Sequence, residues 1–157
     1  MDEEIILYID NIFINGLPFL SAHGKRLKYA KAVPLRNRST TELYEALDEV
    51  LRLYNGRGFT IKEIHCDHEF KPLMDPVKDM MGVEMHYPPA GDHVPQAERL
   101  NRVIRERVCA TYHDLPYKNL PEIMWKYLVM IATNSLNWFL AKGGVSKYYS
   151  PHTLLRQ

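Results

Sequence analysis

Residues 5–14 read Ile-Ile-Leu-Tyr-Ile-Asp-Asn-Ile-Phe-Ile, an apolar and largely β-branched run interrupted by Asp10 and Asn11. Such a run suits a strand covered on both faces, the central place in a sheet. Asp10 is the anomaly. A charge at an interior strand position is costly unless it is paired or bound to a metal ion. Position alone also allows a strand end or a surface bulge. Asn15-Gly16 follows at once, the strongest two-residue hairpin signal. It predicts a return strand over Leu17–Ala22, with Pro18 near the start, where a missing donor is tolerated. Gly24-Lys25 turns the chain again, and Leu27–Val33 reads as the third strand of an antiparallel meander.

Ser39-Thr40-Thr41-Glu42 is a capping box. The helix behind it carries Leu43, Leu47, Val50, Leu51 and Tyr54 on one stripe and stops at Asn55-Gly56. Thr60–Cys66 is then a strand that delivers Asp67 at its end. A strand reached through a helix pairs parallel to the first strand by a right-handed crossover, which brings Asp10 and Asp67 together. Glu69–Met81 reads as a short irregular helix, Gly82–His86 as a brief edge strand and Tyr87–Asp92 as a proline-rich loop. A helix from His93 or Val94 to Thr111 buries Val94, Ala97, Leu100, Ile104 and Val108. At 100° per residue, Glu98, Asn101, Arg102 and Arg105 fall on a neighbouring polar face. Pro121 opens a last helix, Glu122–Ala141, ended by Gly143-Gly144.

Composition narrows the classes. The 157 residues suit one domain, 1–157, and 46% hydrophobic with 25% charged residues excludes disorder. Net charge is +1, so any polyanion binding has to come from local basic runs: Lys25, Arg26, Lys28, Lys31, Arg36 and Arg38, or Arg99, Arg102, Arg105 and Arg107. Those runs are equally readable as solvated faces. Cys66 and Cys109 form no CxxC pair, so structural zinc is not expected and free thiols are. The acidic start carries no signal-peptide pattern. Lys126, Asn134 and Asn137 make the apolar stretch Ile123–Leu140 a buried helix, and no membrane association is expected.

Taken singly, Asp67 is a turn or cap residue and Glu98 a helix-surface glutamate near an N-terminus. Together with Asp10, on three separate elements, they form a set suited to divalent metal and phosphodiester chemistry. Two Mg²⁺ ions roughly 3.5–4 Å apart clamp the attacking and leaving oxygens of such a reaction. Mg²⁺ takes carboxylate oxygens and keeps waters, so two or three converging carboxylates suffice. His65, Cys66 and His68 also suggest a transition-metal site. On a strand, however, 65 and 67 face one side and 66 and 68 the other, so these three do not readily converge.

The strings Tyr8-Ile9-Asp10, His65-Cys66-Asp67-His68-Glu69-Phe70 and Pro95-Gln96-Ala97-Glu98-Arg99-Leu100-Asn101-Arg102 resemble the catalytic core of retroelement integrases, closest to the copia-type retrotransposon branch. Trp125–Leu140 resembles the long helix after that core, and Ser150, Pro151 and Leu154 its SP-x-x-L ending. The likeness spans most of the chain. It implies an α/β, ribonuclease H-like fold: a mixed sheet of about five strands, antiparallel meander then parallel strands, flanked by helices. It implies a metal-binding acid triad of Asp10, Asp67 and Glu98 holding Mg²⁺ or Mn²⁺, which serves 3′-end processing and strand transfer in DNA integration. Asn101, Arg102 and Arg105 are expected to hold the DNA backbone, by contacts that position without specifying sequence. The expected partners are element ends and target duplex DNA, in a homo-oligomer, in the nucleus if the host is eukaryotic and otherwise inside the cell.

Departures from the family pattern are equally visible. Glu98 lies 31 positions after Asp67, shorter than the family's usual interval, and the deletion falls in Met81–Asp92. His68 replaces the usual glycine or asparagine, and the asparagine-glycine before the glutamate is missing. Two other readings therefore stand beside the transferase: a metal-dependent nuclease without strand transfer, and a catalytically inactive, transposon-derived nucleic-acid-binding or oligomerisation module.

Overall fold

The computed structural model describes residues 3–89, 91–92 and 94–157. Strands β1 (Glu3–Ile14), β2 (Leu17–Gly24) and β3 (Ala30–Pro34) form the meander. Helix α1 (Thr40–Asn55) then leads to β4 (Phe59–His65), a 3-10 helix (His68–Leu73), α2 (Met74–Met81) and β5 (Glu84–His86). Helices α3 (Pro95–Asp114), α4 (Glu122–Leu136) and α5 (Pro151–Arg156) complete the chain. The sheet order is β3-β2-β1-β4-β5, with β1 at its centre. β1 runs antiparallel to β2 and parallel to β4, and β4 runs parallel to β5.

The local chemistry accounts for these elements. Asn15 and Gly16 take φ values of 52° and 74°, the two successive left-handed positions that a tight hairpin between right-twisted strands needs. Ser39 caps α1 by accepting from the Glu42 amide at 3.3 Å. The pleat of β1 divides the core. Ile5, Leu7 and Ile9 join Leu43, Leu47, Val50 and Tyr54 of α1 on one face. On the other, Tyr8 meets Val94 and Ala97, and Ile12 and Ile14 meet Ile104, Val108 and Val129. Both faces of β1 are thus covered, as its apolar run requires.

Most element bounds shift from the sequence reading by a residue or two, and three of the differences have a visible cause or bear on the site. β3 starts at Ala30, not Leu27, because Lys28 adopts φ 60° and donates its amide to the Gly24 carbonyl at 3.0 Å, keeping 24–28 in a turn. α3 runs on to Asp114; Val94 stands just before it, and His93 lies outside the described residues. α4 ends at Leu136, not Ala141. There the Asn137 side chain turns to β3, accepting from the Ala30 amide at 2.7 Å and donating to the Ala30 carbonyl at 2.8 Å. Asn137 is 1% exposed, so its side chain replaces water for both backbone groups. Asn137→Ala should cost about 2–4 kcal/mol, because two buried backbone groups lose their partners; urea unfolding of the two proteins measures it.

Candidate active site

Asp10 projects from the face of β1 that α3 covers, the same face as Tyr8 and Ile12. Tyr8 is the register partner of His65 on β4, so Asp67, two residues beyond His65, emerges beside Asp10. Asp67 is the N-cap residue of the 3-10 helix, with extended backbone, and Glu98 sits in the first turn of α3. Their proximity registers at the Asp10 carboxyl. Burial is the largest effect on it and raises its pKa to about 6; the Asn11 amide opposes, while the charges of Asp67, Glu69 and Glu98 raise it further. Four carboxylates from three places in the chain therefore share one electrostatic neighbourhood. Glu69 was not singled out from the sequence as a site residue, although it stands two residues after Asp67 in the string that carries the second acid.

The donor set is all carboxylate oxygen, which suits Mg²⁺ or Mn²⁺ and disfavours soft metals. Among the described residues, no three His, Cys, Asp or Glu side chains stand close enough, as they lie, to hold one metal ion. The fit is thus one of chemical type and neighbourhood.

Both oxygens of Asp10 are oriented by the protein. The Asn11 amide donates to Oδ1 at 2.8 Å, and Asn101 Nδ2 donates to Oδ2 at 2.7 Å. Asn101 in turn accepts from the Ser21 hydroxyl through Oδ1 at 2.6 Å. The same hydroxyl lies 3.2 Å from the Asp10 carbonyl, but it has one proton, and the shorter contact takes it. This fixes which way the Asn101 amide faces. Asn101 is 5% exposed: it belongs to the buried stripe with Ala97, Ile104 and Val108, not to the exposed polar face on which the sequence reading placed it. Spacings of three and four residues along 97-101-104-108 were the available signal. Ser21 is 1% exposed and escaped notice as one small polar residue on a return strand.

Arg99, Arg102 and Arg105 are exposed, as expected of that face. Arg102 stands 3.9 Å from Glu106, an exposed pair with little effect on stability. Arg105 borders a hollow with Phe13, Tyr112 and Trp125. On the other side, Arg38 pairs with Glu69 and lies 5.0 Å over the Phe13 ring. Arg38 therefore ties the loop before α1 to the acid cluster.

No family model matches this chain, and no curated protein matches it. Among solved structures it is similar to the catalytic core domain of BIV integrase, with a TM-score of 0.65 over 96% of this chain and 92% of that one, at 17% identity. The fold is that of an integrase catalytic core. The ribonuclease H-like architecture read from the sequence is therefore correct, five-stranded mixed sheet included. At that identity what is shared with BIV integrase is the fold.

The carboxylate cluster makes stability depend on pH with a definite sign. Asp10 binds its proton more tightly folded, at about 6, than at its ordinary 3.8. Its contribution is intact below about pH 4 and is lost as pH rises through 6. In EDTA, Asp10→Asn should gain about 1–3 kcal/mol relative to the natural chain between pH 4 and pH 7, with other titrations cancelling in the difference. Urea midpoints at the two pH values test this; a constant difference contradicts it.

Proposed function

We propose that this domain is an integrase-type polynucleotidyl transferase acting on DNA, of the copia-type retroelement branch. One observation carries the reading: the carboxyl of Asp10, half-buried mid-strand, is held near 6 by partial burial together with Asp67, Glu69 and Glu98. A half-buried carboxylate crowded by three others is unfavourable without a cation, and the same crowding suits a divalent one. The strings around Asp10, Asp67 and Glu98 support the branch assignment, and the integrase-core fold is consistent with it.

Asp10, Asp67 and Glu98 would hold Mg²⁺ or Mn²⁺, which supplies Lewis-acid charge to the attacking and leaving oxygens of a phosphodiester. The chain's own contribution is orientation. Asn101 and the Asn11 amide hold the Asp10 carboxylate, so little reorganisation remains when a cation arrives. Arg102 and Arg105, exposed about one and two turns beyond Glu98 on α3, hold the DNA backbone as phosphate partners. The domain acts as one unit, 1–157, in a homo-oligomer; the exposed Ile123, Met124, Tyr127 and Ile131 on α4 supply an apolar surface for that contact. A chain joining DNA ends works in the nucleus of a eukaryotic host. No helix among the described residues is long and apolar enough to cross a membrane.

A second reading has its own support. Among the described residues no three of the acids lie within reach of one ion as they stand, and His68 stands where the integrase pattern that the sequence resembles has glycine or asparagine. Both favour a domain that keeps the fold and the DNA surface without catalysis.

Calorimetry with Mg²⁺ or Mn²⁺, then strand transfer of a labelled 3′-hydroxyl oligonucleotide into duplex DNA, separates the readings. The transferase reading expects binding and joining by the natural chain and loss of both in Asp67→Asn. Asn101→Ala should keep the fold but lose about 10–100-fold in metal affinity, as removal of an orienting group does. No binding with oligonucleotide present refutes the transferase reading, and cleavage without joined product leaves a nuclease. Arg102→Ala and Arg105→Ala should each weaken DNA binding uniformly across sequences and reduce the salt slope by about one.

A further inference from the structure

Outside the acid cluster, β4 and β5 bring a second set of metal-binding side chains together. Glu63 and His65 on β4 are the register partners of Glu84 and His86 on β5. In a sheet, paired residues and residues two apart share a face. The strands therefore present two carboxylates and two imidazoles as one block, while Ile64 and Met85 between them enter the opposite core. Nothing in the integrase reading of Asp10, Asp67 and Glu98 uses this block.

Its dimensions are those of a tetrahedral site. Zn–N and Zn–O bonds of about 2.0–2.1 Å put neighbouring ligand atoms about 3.3–3.4 Å apart. His65 Nε2 and Glu63 Oε2 are 3.4 Å apart. His86 Nε2 lies 3.9 Å from both Glu63 Oε2 and Glu84 Oε2. Two imidazoles sharing one tetrahedral ion have ring centres about 5 Å apart; those of His65 and His86 are 5.3 Å apart. As the side chains lie, no three donors close on a point. The shortfall is about 0.5 Å on the His86 side, set against bonds of about 2.0–2.1 Å. His86 and Glu84 have side chains 46% and 69% exposed, free to rotate by that amount.

Two further features favour a cation there. Glu63 and Glu84 are like charges directly opposite on neighbouring strands, a pairing that destabilises a sheet unless something neutralises it. His65, in contrast, is held in place: its ring packs between Tyr8 and His86, and Tyr8 packs on His23, with successive centroids 5.3, 5.5 and 5.3 Å apart across four strands. One imidazole is fixed and the other is adjustable.

We propose that His65, His86 and Glu63, with Glu84 as the fourth donor, form a site for an imidazole-preferring divalent cation of the Zn²⁺ class, separate from the carboxylate cluster. The mixed nitrogen and oxygen set selects Zn²⁺ or Co²⁺ over Mg²⁺, which favours oxygen alone. An ion held there staples the three-residue edge strand β5 to β4, and so restrains the connection from β5 to α3, which carries Glu98.

The test uses the full chain freed of metal, titrated with Co²⁺ as a spectroscopic stand-in for Zn²⁺. The expected result is one Co²⁺ per chain with the intense visible bands of four-coordination, unchanged by excess Mg²⁺. Those bands should vanish in His86→Asn and in His65→Asn and persist in Asp67→Asn. Glu63→Gln should weaken binding about 10–100-fold. Circular dichroism checks that the variants fold, and His86, half exposed on an edge strand, is the safer of the two histidines to replace. Absence of bands, bands surviving both histidine substitutions, or bands lost in Asp67→Asn would each overturn the proposal, the last by assigning the ion to the acid cluster.

Discussion

A half-buried carboxylate in the middle of the central strand is the constraint on which this structure turns. Strand β1 has to be apolar on both faces, because helices cover both. Asp10 breaks that rule on the face shared with α3, and its surroundings are arranged around the breach. The Asn11 amide and the Asn101 side chain satisfy its two oxygens, Ser21 sets the orientation of Asn101, and three more acids crowd it instead of relieving it. Arg38 pairs with Glu69 at the edge of the group, yet the net effect at Asp10 is a carboxyl held above its ordinary range, a perturbation of the kind that marks sites for charged ligands.

Much of this was legible because the signals were local. The β-branched run, Asn15-Gly16 and the capping box at Ser39 each specify backbone geometry within a few residues, and the parallel placement of β4 follows from the handedness of crossovers. Asp10 stood out for the same reason, as a charge where the local pattern forbids one. The residues that escaped depend on partners far away in the chain. Ser21 matters only because α3 sets Asn101 against it, 80 positions on. Asn101 had an i, i+3, i+4 signature, yet its polar character argued for the surface until Asp10 was known to face it. Asn137 ended α4 early because it bonds across to Ala30, 107 residues upstream, a contact that no helical periodicity announces.

The His65–His86 block illustrates a similar limit. Within the string His65-Cys66-Asp67-His68, the strand ends at His65 and His68 opens the 3-10 helix, so the alternation argument applies to His65 alone and the string by itself makes no case for a metal. Register adds what spacing could not: the partner of His65 is 21 positions away on β5, and the glutamates two residues before each histidine come with it. Sheet register, which no spacing along the string announces, is what sets His65 and His86 side by side.

The side chain of Asn137 has a consequence at the rim of the sheet. β3 is an outer strand, and an outer strand offers its free peptide groups to any chain that can pair with them. The Asn137 amide occupies both groups of Ala30, the first rung of that ladder, and α4 lies alongside. A foreign strand approaching β3 therefore meets a side chain already in the role of its neighbour. This blunts sheet extension on that side, because the first rung of the outer strand is already taken by the chain's own side chain.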